Sequence, residues 1–236
     1  MPTKGELGVA TMTYKRGASR LGRLLASFDG AIVAVDQNTD DNLVEANRRV
    51  CEEHDAEHVH TPRRTFNKCL GLNVGIKHLG TNLIAAVDVD MILPPGFEGY
   101  VADKLQEYDL VVPFAMWLPE NADYDVPFDE LCEQAEEAPG RRKDGLELRA
   151  AGPVVAASRE WWHSMRGFDE GFEGTLGGME SDLIERARRR FDRICRERVW
   201  VLHQWHPRSP LKFKDRYYDR ECKGRTETVV NEEWGL

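Results

Sequence analysis

Short apolar, β-branched runs alternate along this chain with stretches in which hydrophobic residues recur every three or four positions. Leu7 to Tyr14, Ala31 to Val35 and Glu57 to His60 read as strands. Between them, Leu21, Leu24, Leu25 and Phe28 fall at helical spacing behind Ser19, a candidate cap, and Asn42 to His54 continue as a second helix. Phe66 to Leu79 is helical in pattern despite Gly71 and Gly75, which imply close approach of the backbone to a ligand or to the sheet. Asn82 to Leu93, NLIAAVDVDMIL, then reads as a buried strand stopped by Pro94-Pro95-Gly96. This alternation predicts an α/β fold, a Rossmann-like, mostly parallel sheet with helices on both faces.

Beyond Pro94 the pattern gives a helix over Phe97 to Tyr108, a strand over Asp109 to Trp117 and another over Gly152 to Ala157. Trp161-Trp162 begin a helix or turn, and a later helix carries Glu180 and Asp182 and runs to Arg190. Arg198 to Leu202 leads into His203-Gln204-Trp205-His206. The interval 118–148 is first acidic, then basic, and reads as a variable insertion. One domain is expected over 1–207, and 208–236 is expected as a flexible tail or lid.

At 236 residues, with 41% hydrophobic and 31% charged, the chain has the composition of a soluble globular protein. Its net charge of −9 argues against a broad nucleic-acid footprint, although Arg63-Arg64, Arg141 to Lys143 and Arg188 to Arg190 are local basic runs. No apolar run approaches the roughly 18 residues of a membrane span, and the first residues lack the apolar core of a signal peptide, so a cytoplasmic location is expected. Five widely spaced cysteines without a CxxC suggest reduced, buried thiols.

The candidate chemistry gathers at strand ends. Side chains alternate across a strand, so Asp88 and Asp90 are expected to share one face, where Mg²⁺ or Mn²⁺ would offset their repulsion and bridge to nucleotide phosphates; the alternative is that they end a strand and face water. Thr13, Asp36 and Asp88 fall where open α/β sheets bind nucleotides. Arg16, Arg63, Arg64 and Lys68 offer cations to phosphate or carboxylate, each alone also readable as a surface charge. Gly177-Gly178 allow the backbone to pass close to a ligand ahead of Glu180 and Asp182, and Asp182 reads equally as a partner of the helix dipole. His203 and His206 form an H-x-x-H pair, either metal ligands or surface imidazoles. Trp117, Trp161, Trp162 and Trp205 are candidates for stacking on a ligand, with core packing as the alternative.

Five motifs occur in a familiar order: Asp36-Gln37-Asn38-Thr39-Asp40, Leu72-Asn73-Val74-Gly75, Asp88-Val89-Asp90, Gly167-Phe168-Asp169-Glu170 with Gly177-Gly178-Met179-Glu180-Ser181-Asp182, and His203 to His206. Together, over about Gly8 to Pro207, they resemble a GT-A fold glycosyltransferase, close to glycosyltransferase family 2 with a galactosyltransferase-type C-terminal segment. The resemblance implies metal-dependent transfer of a sugar from a nucleoside-diphosphate sugar, expected to be a UDP-sugar, to an acceptor hydroxyl on a glycan, lipid, protein or modified nucleic acid. It implies a nucleotide-sugar half over 1–93 and an acceptor half over 94–207. Mn²⁺ or Mg²⁺ would bind Asp90, His203 and His206. The donor would meet Thr13, Arg16, Asp36, Arg64, Lys68, Asn73 and Asp88, and Glu180, with Asp182 beside it, would serve as base in an inverting displacement. The chain departs from the family pattern at Gln37 and Asn38, and at Met179-Glu180 where Glu-Asp is usual. The rival readings are a phosphatase of the haloacid dehalogenase type, from the Asp88 strand, and a catalytically inactive sugar- or nucleotide-binding module.

Overall fold

Side chains alternate across β1 (Leu7–Thr13): Leu7 and Val9 enter one hydrophobic core, Ala10 and Met12 the other. In the computed structural model, which describes residues 6–135, 152–175, 177–191, 193–195, 201–207 and 217–235, this strand lies near the middle of a seven-stranded sheet. It pairs in parallel with β2 (Ala31–Asp36) and β4 (Leu83–Val87), and β3 (Glu57–His60) continues the parallel set beyond β2. On the other side of β4, β8 (Val154–Ser158) runs antiparallel, followed by β6 (Leu110–Val111) and β9 (Ile194–Cys195). A second sheet of three short strands has the order β5 (Met91–Ile92), β10 (Val201–His203), β7 (Ala115–Trp117).

Helices cover both faces of the main sheet. The core on one side is closed by α3 (Lys68–His78), α6 (Arg159–Met165) and α7 (Met179–Arg188), and that on the other by α1 (Ala18–Ala26) and α4 (Phe97–Glu107). The buried leucines of α1, Leu21, Leu24 and Leu25, each stabilise the fold by on the order of 2 kcal/mol. The expected cap Ser19 lies inside α1, which starts from Gly17 without a side-chain bond. Real caps occur elsewhere: Asp40 accepts from Asn42 and Leu43 at the start of α2 (Asp41–Glu53), Asn67 from Leu70, and Ser158 from Trp161. Gly71 lets α3 lie tight on the sheet, since a methyl there would come within 2.9 Å of the Met12 Cβ.

Three expectations are corrected. The run 82–93 is not one strand: it leaves the main sheet after Val87, turns through Asp88-Val89-Asp90 with the Met91 amide on the Asp88 carbonyl (3.1 Å), and re-enters the small sheet as β5. The strand expected over 109–117 divides around Pro113 and serves both sheets, because a proline cannot donate to a ladder. Residues 217–235, expected within a tail or lid, pack on the domain: Trp234 is buried, its carbonyl accepts from Lys77 Nζ (3.0 Å), and the Gly235 amide donates to Glu170 Oε1 (2.7 Å). Of the insertion, 118–135 is described and contains α5 (Phe128–Gln134); 136–148, like 208–216 of the tail, lies outside the described residues. Among the described residues, no helix is long and apolar enough to cross a membrane.

Candidate active site

The turn at Asp88-Val89-Asp90 sends its two acids to different partners. Asp90 is buried, with Oδ1 3.6 Å from His203 Nε2, Oδ2 3.3 Å from His206 Nε2, and Arg16 Nη2 3.9 Å away. Arg16 is presented by a turn in which Lys15 takes the left-handed conformation (φ 53°), its amide donating to Asn38 Oδ1 at 2.6 Å. His203 ends β10, and the backbone of the next residue, Gln204, donates to the Asp90 carbonyl (2.8 Å), which ties the histidine segment to the turn.

These three side chains offer ligand atoms that all lie within 4.8 Å of one another. Burial opposes ionisation of Asp90, but the hydrogen bond from His206 and the neighbouring positive charge outweigh it and hold the carboxyl well below the usual carboxylate range. Burial pushes the His203 imidazole down, with Asp90 countering. Its Nδ1 is a buried polar atom without a hydrogen-bond partner among the described residues. A carboxylate with two imidazoles, one ligand atom from each, is a donor set that fits a divalent cation. Trp117 stacks on His203, ring centroids 3.8 Å apart.

Asp88 turns the other way, to Lys68 at the start of α3 (2.5 Å), and the same ammonium is hydrogen-bonded to Glu180 at the start of α7. Burial works against the charge on Lys68, yet Asp88 and Glu180 outweigh it and raise its pKa. Burial pushes Asp88 up to about 6, Lys68 pulling against it and Glu180 and Asp90 adding to the rise. Glu180 thus stands beside the strand-end acids, and Lys68 joins the two halves of the site.

Asp182 does not join them. It is 1% exposed, bonded to Arg186 Nε at 2.8 Å and facing Arg225 at 3.7 Å. Burial raises its pKa, the guanidinium of Arg186 opposing. Two residues apart on a helix are about 200° apart, so Glu180 and Asp182 face opposite ways. Asp182, Asp169 and Cys222 form a second acid-and-thiol cluster, but Arg225, 2.8 Å from Asp169, and Arg186 already neutralise it. Asn73 is bonded through its side chain to the Phe168 amide and carbonyl and to Glu170.

Asp36, in register with Thr13 at the C-terminal ends of β2 and β1, is buried and fully engaged: Asn38 donates twice, Asn47 once, and His58 Nε2 lies 3.2 Å away. Burial opposes its ionisation, but these bonds, led by His58, lower its pKa. Thr13 Oγ1 is buried without a partner among the described residues, and Arg64 is exposed on the loop before α3. Trp161 and Trp162 are core residues, Trp162 donating to the Ile84 carbonyl (3.0 Å), whereas Trp117 and Trp205 are part-exposed. The backbone at Gly178 does pass close to a neighbour, but that neighbour is Tyr218, whose Cβ would lie 2.7 Å from a methyl there.

The sequence profile described as "Glycosyl transferase family 2" matches residues 9–146, more than half of the chain. The chain belongs to glycosyl transferase family 2. Solved structures share this family member's fold at low identity. S. aureus TarS 1–349 in complex with UDP-GlcNAc superposes with a TM-score of 0.60 at 14% identity, over 86% of this chain and 60% of that one. The mannosyltransferase PcManGT from Pyrobaculum calidifontis, in complex with GDP-Man and Mn²⁺, gives 0.56 at 18% identity over 84% and 56%. GalNAc-T7 with UDP, GalNAc and Mn²⁺ gives 0.65 at 14% identity over 85% and 44%. The chain therefore spans less than two thirds of each of these proteins. No curated protein matches by sequence. The sheet is that of GT-A glycosyltransferases, and nothing in these likenesses supports a phosphatase.

Sequence reasoning passed over Gln204, Arg225 and the tyrosines at 217 and 218. Only Gln204 carried a signal, as a polar residue flanked by an apolar strand and two candidate ligands.

Proposed function

We propose that this protein transfers a sugar from a nucleoside-diphosphate sugar, a UDP-sugar in our reading, to an acceptor hydroxyl. The observation that carries the proposal is the convergence of Asp90, His203 and His206 in a family 2 fold, beside a separate pair of acids bridged by Lys68. The structural relatives in complex with UDP-GlcNAc, with GDP-Man and Mn²⁺, and with UDP, GalNAc and Mn²⁺ support the same donor class.

Asp90, His203 and His206 would hold the cation, and two imidazoles favour Mn²⁺ over Mg²⁺. When bound, a divalent cation supplies Lewis-acid stabilisation of the negative charge on the departing diphosphate. Arg16, within reach of Asp90, adds positive charge on the same side, and exposed Arg64 is free to meet phosphate or acceptor. Asp36 shapes the donor loop through Asn38 rather than offering a free carboxylate, and Asn73 acts through the GFDE segment it fixes. Glu180 takes the proton of the attacking hydroxyl in a direct, inverting displacement. Lys68 holds that carboxylate in place and keeps it from repelling Asp88.

Release of nucleoside diphosphate from a panel of nucleotide sugars, with Mn²⁺ and simple glycan acceptors, tests the proposal. Turnover of one donor with an inverted product anomer supports it. Donor binding without turnover across glycan, lipid and protein acceptors would favour the inactive module, and a retained anomer would remove Glu180 as the base.

A further inference from the structure

We infer that Gln204 is a positioning residue: its amide sets the spacing between the Asp90 turn and the two histidines and thereby determines how tightly the site binds a divalent cation. The inference rests on the metal-site reading above.

Gln204 is fully buried and lies between His203 and His206 in sequence, and its three side-chain hydrogen bonds go to residues other than the candidate ligands. Its Oε1 accepts from Arg23 Nη1 (3.1 Å), and its Nε2 donates to the carbonyls of Arg20 (3.1 Å) and Met91 (3.3 Å). Partner chemistry fixes the orientation of the amide, because a guanidinium can only donate and a carbonyl only accept. Through its own backbone amide the same residue holds the Asp90 carbonyl at 2.8 Å. One side chain thus fastens the histidine segment to α1 and to the residue that follows Asp90.

The fastening is closed on its other side. Arg23 lies over the Tyr124 ring at 3.9 Å, and the Tyr124 hydroxyl accepts from the Trp205 amide (3.1 Å). Arg23 and Tyr124 therefore hold the segment at Gln204 and at Trp205, leaving His203 and His206 on either side of a fixed pair. The positions of Asp90 and of this segment set the 3.6 Å and 3.3 Å separations between carboxylate and imidazoles. Metal affinity is sensitive to such support: groups that orient ligands without touching the ion commonly change affinity 10–100-fold when removed.

The test measures Mn²⁺ affinity by the electron paramagnetic resonance signal of free Mn²⁺, on the full chain without donor. Gln204→Met fills a similar volume but forms none of the three side-chain bonds; His203→Ala removes a ligand. The expected result is binding by the wild type, none by His203→Ala, and binding about 10–100-fold weaker by Gln204→Met at an unchanged fraction of folded protein. A residue that merely supported the fold would lower the melting temperature and leave the affinity of folded protein alone. Should Gln204→Met bind within about twofold of wild type while His203→Ala does not bind, the positioning role is overturned and the metal reading stands. Should His203→Ala bind like wild type, the metal reading fails and the inference fails with it. If Gln204→Met does not fold, Arg23→Met, which removes the guanidinium from both the amide oxygen and the Tyr124 ring, takes its place: weaker Mn²⁺ binding supports the inference, and unchanged binding overturns it.

Discussion

Lys68 and Glu180, 112 residues apart, are hydrogen-bonded through their side chains, and the same ammonium reaches Asp88 at 2.5 Å. The bond joins the start of α3 to the start of α7, and so the donor side of the site to the proposed base. Lys68→Met should therefore do two things at once. With two partly buried acids left facing each other, stability should fall by about 2–3 kcal/mol, and sugar transfer should fall at least about tenfold because Glu180 loses its tether. Lys68→Arg should recover much of the stability. Urea titrations and initial rates on the three proteins check this, and an Lys68→Met enzyme with wild-type kcat would show that Glu180 needs no such anchor.

Glu180 and Asp182 should separate cleanly. Asp182→Asn leaves the fully buried Arg186 without its charged partner and should cost about 3 kcal/mol of stability, while turnover per folded molecule stays within a few-fold of wild type. Glu180→Gln should show the opposite: donor affinity and melting temperature near wild type, with transfer lost. Rates normalised to folded fraction decide between the two carboxylates.

A pH-dependent stability effect follows from Asp36. Its folded pKa lies below the unfolded 3.8, so its carboxylate stabilises the fold above that value and the contribution is lost as pH falls through the folded value. Asp36→Asn should thus destabilise by about 1–3 kcal/mol at neutral pH, with the difference from wild type shrinking below the unfolded value. Chemical denaturation of both proteins at neutral and acid pH measures the gap; a gap that widens in acid would contradict this assignment.

The C-terminal segment should behave as part of the domain. Arg225→Met removes the guanidinium from between Asp169 and Asp182 and should destabilise by about 2 kcal/mol or more, read as a lower melting temperature. An unchanged melting temperature would mean that the segment contributes little to the fold.

Periodicity located the elements that depend on local pattern. The strand at Glu57–His60 has the expected bounds, and β1, β2 and the helices up to Glu107 fall within two residues of theirs. It failed where a strand changes partners. Nothing in the apolar run 82–93 announces that its first half pairs with Leu7–Ala10 and Met91-Ile92 with a strand more than a hundred residues later. The same holds for 109–117, although Pro113 was a visible signal. In the candidate site, Asp88, Lys68 and Glu180, all singled out from the sequence, form one cluster, and Asp90 and both histidines form another. The opposed faces of Glu180 and Asp182 were implicit in helical geometry. The burial of Asp36 and Asn73 was not legible, because their partners at 47, 58, 168 and 170 are set by tertiary packing.

The account turns on whether Asp90 and the two histidines bind a cation that in turn binds a nucleoside diphosphate. Calorimetric titration of UDP into wild type and Asp90→Ala, each with and without Mn²⁺, measures this most directly. The account predicts Mn²⁺-dependent binding to wild type and its loss in a folded Asp90→Ala protein. UDP binding that is indifferent both to Mn²⁺ and to the loss of Asp90 would contradict it.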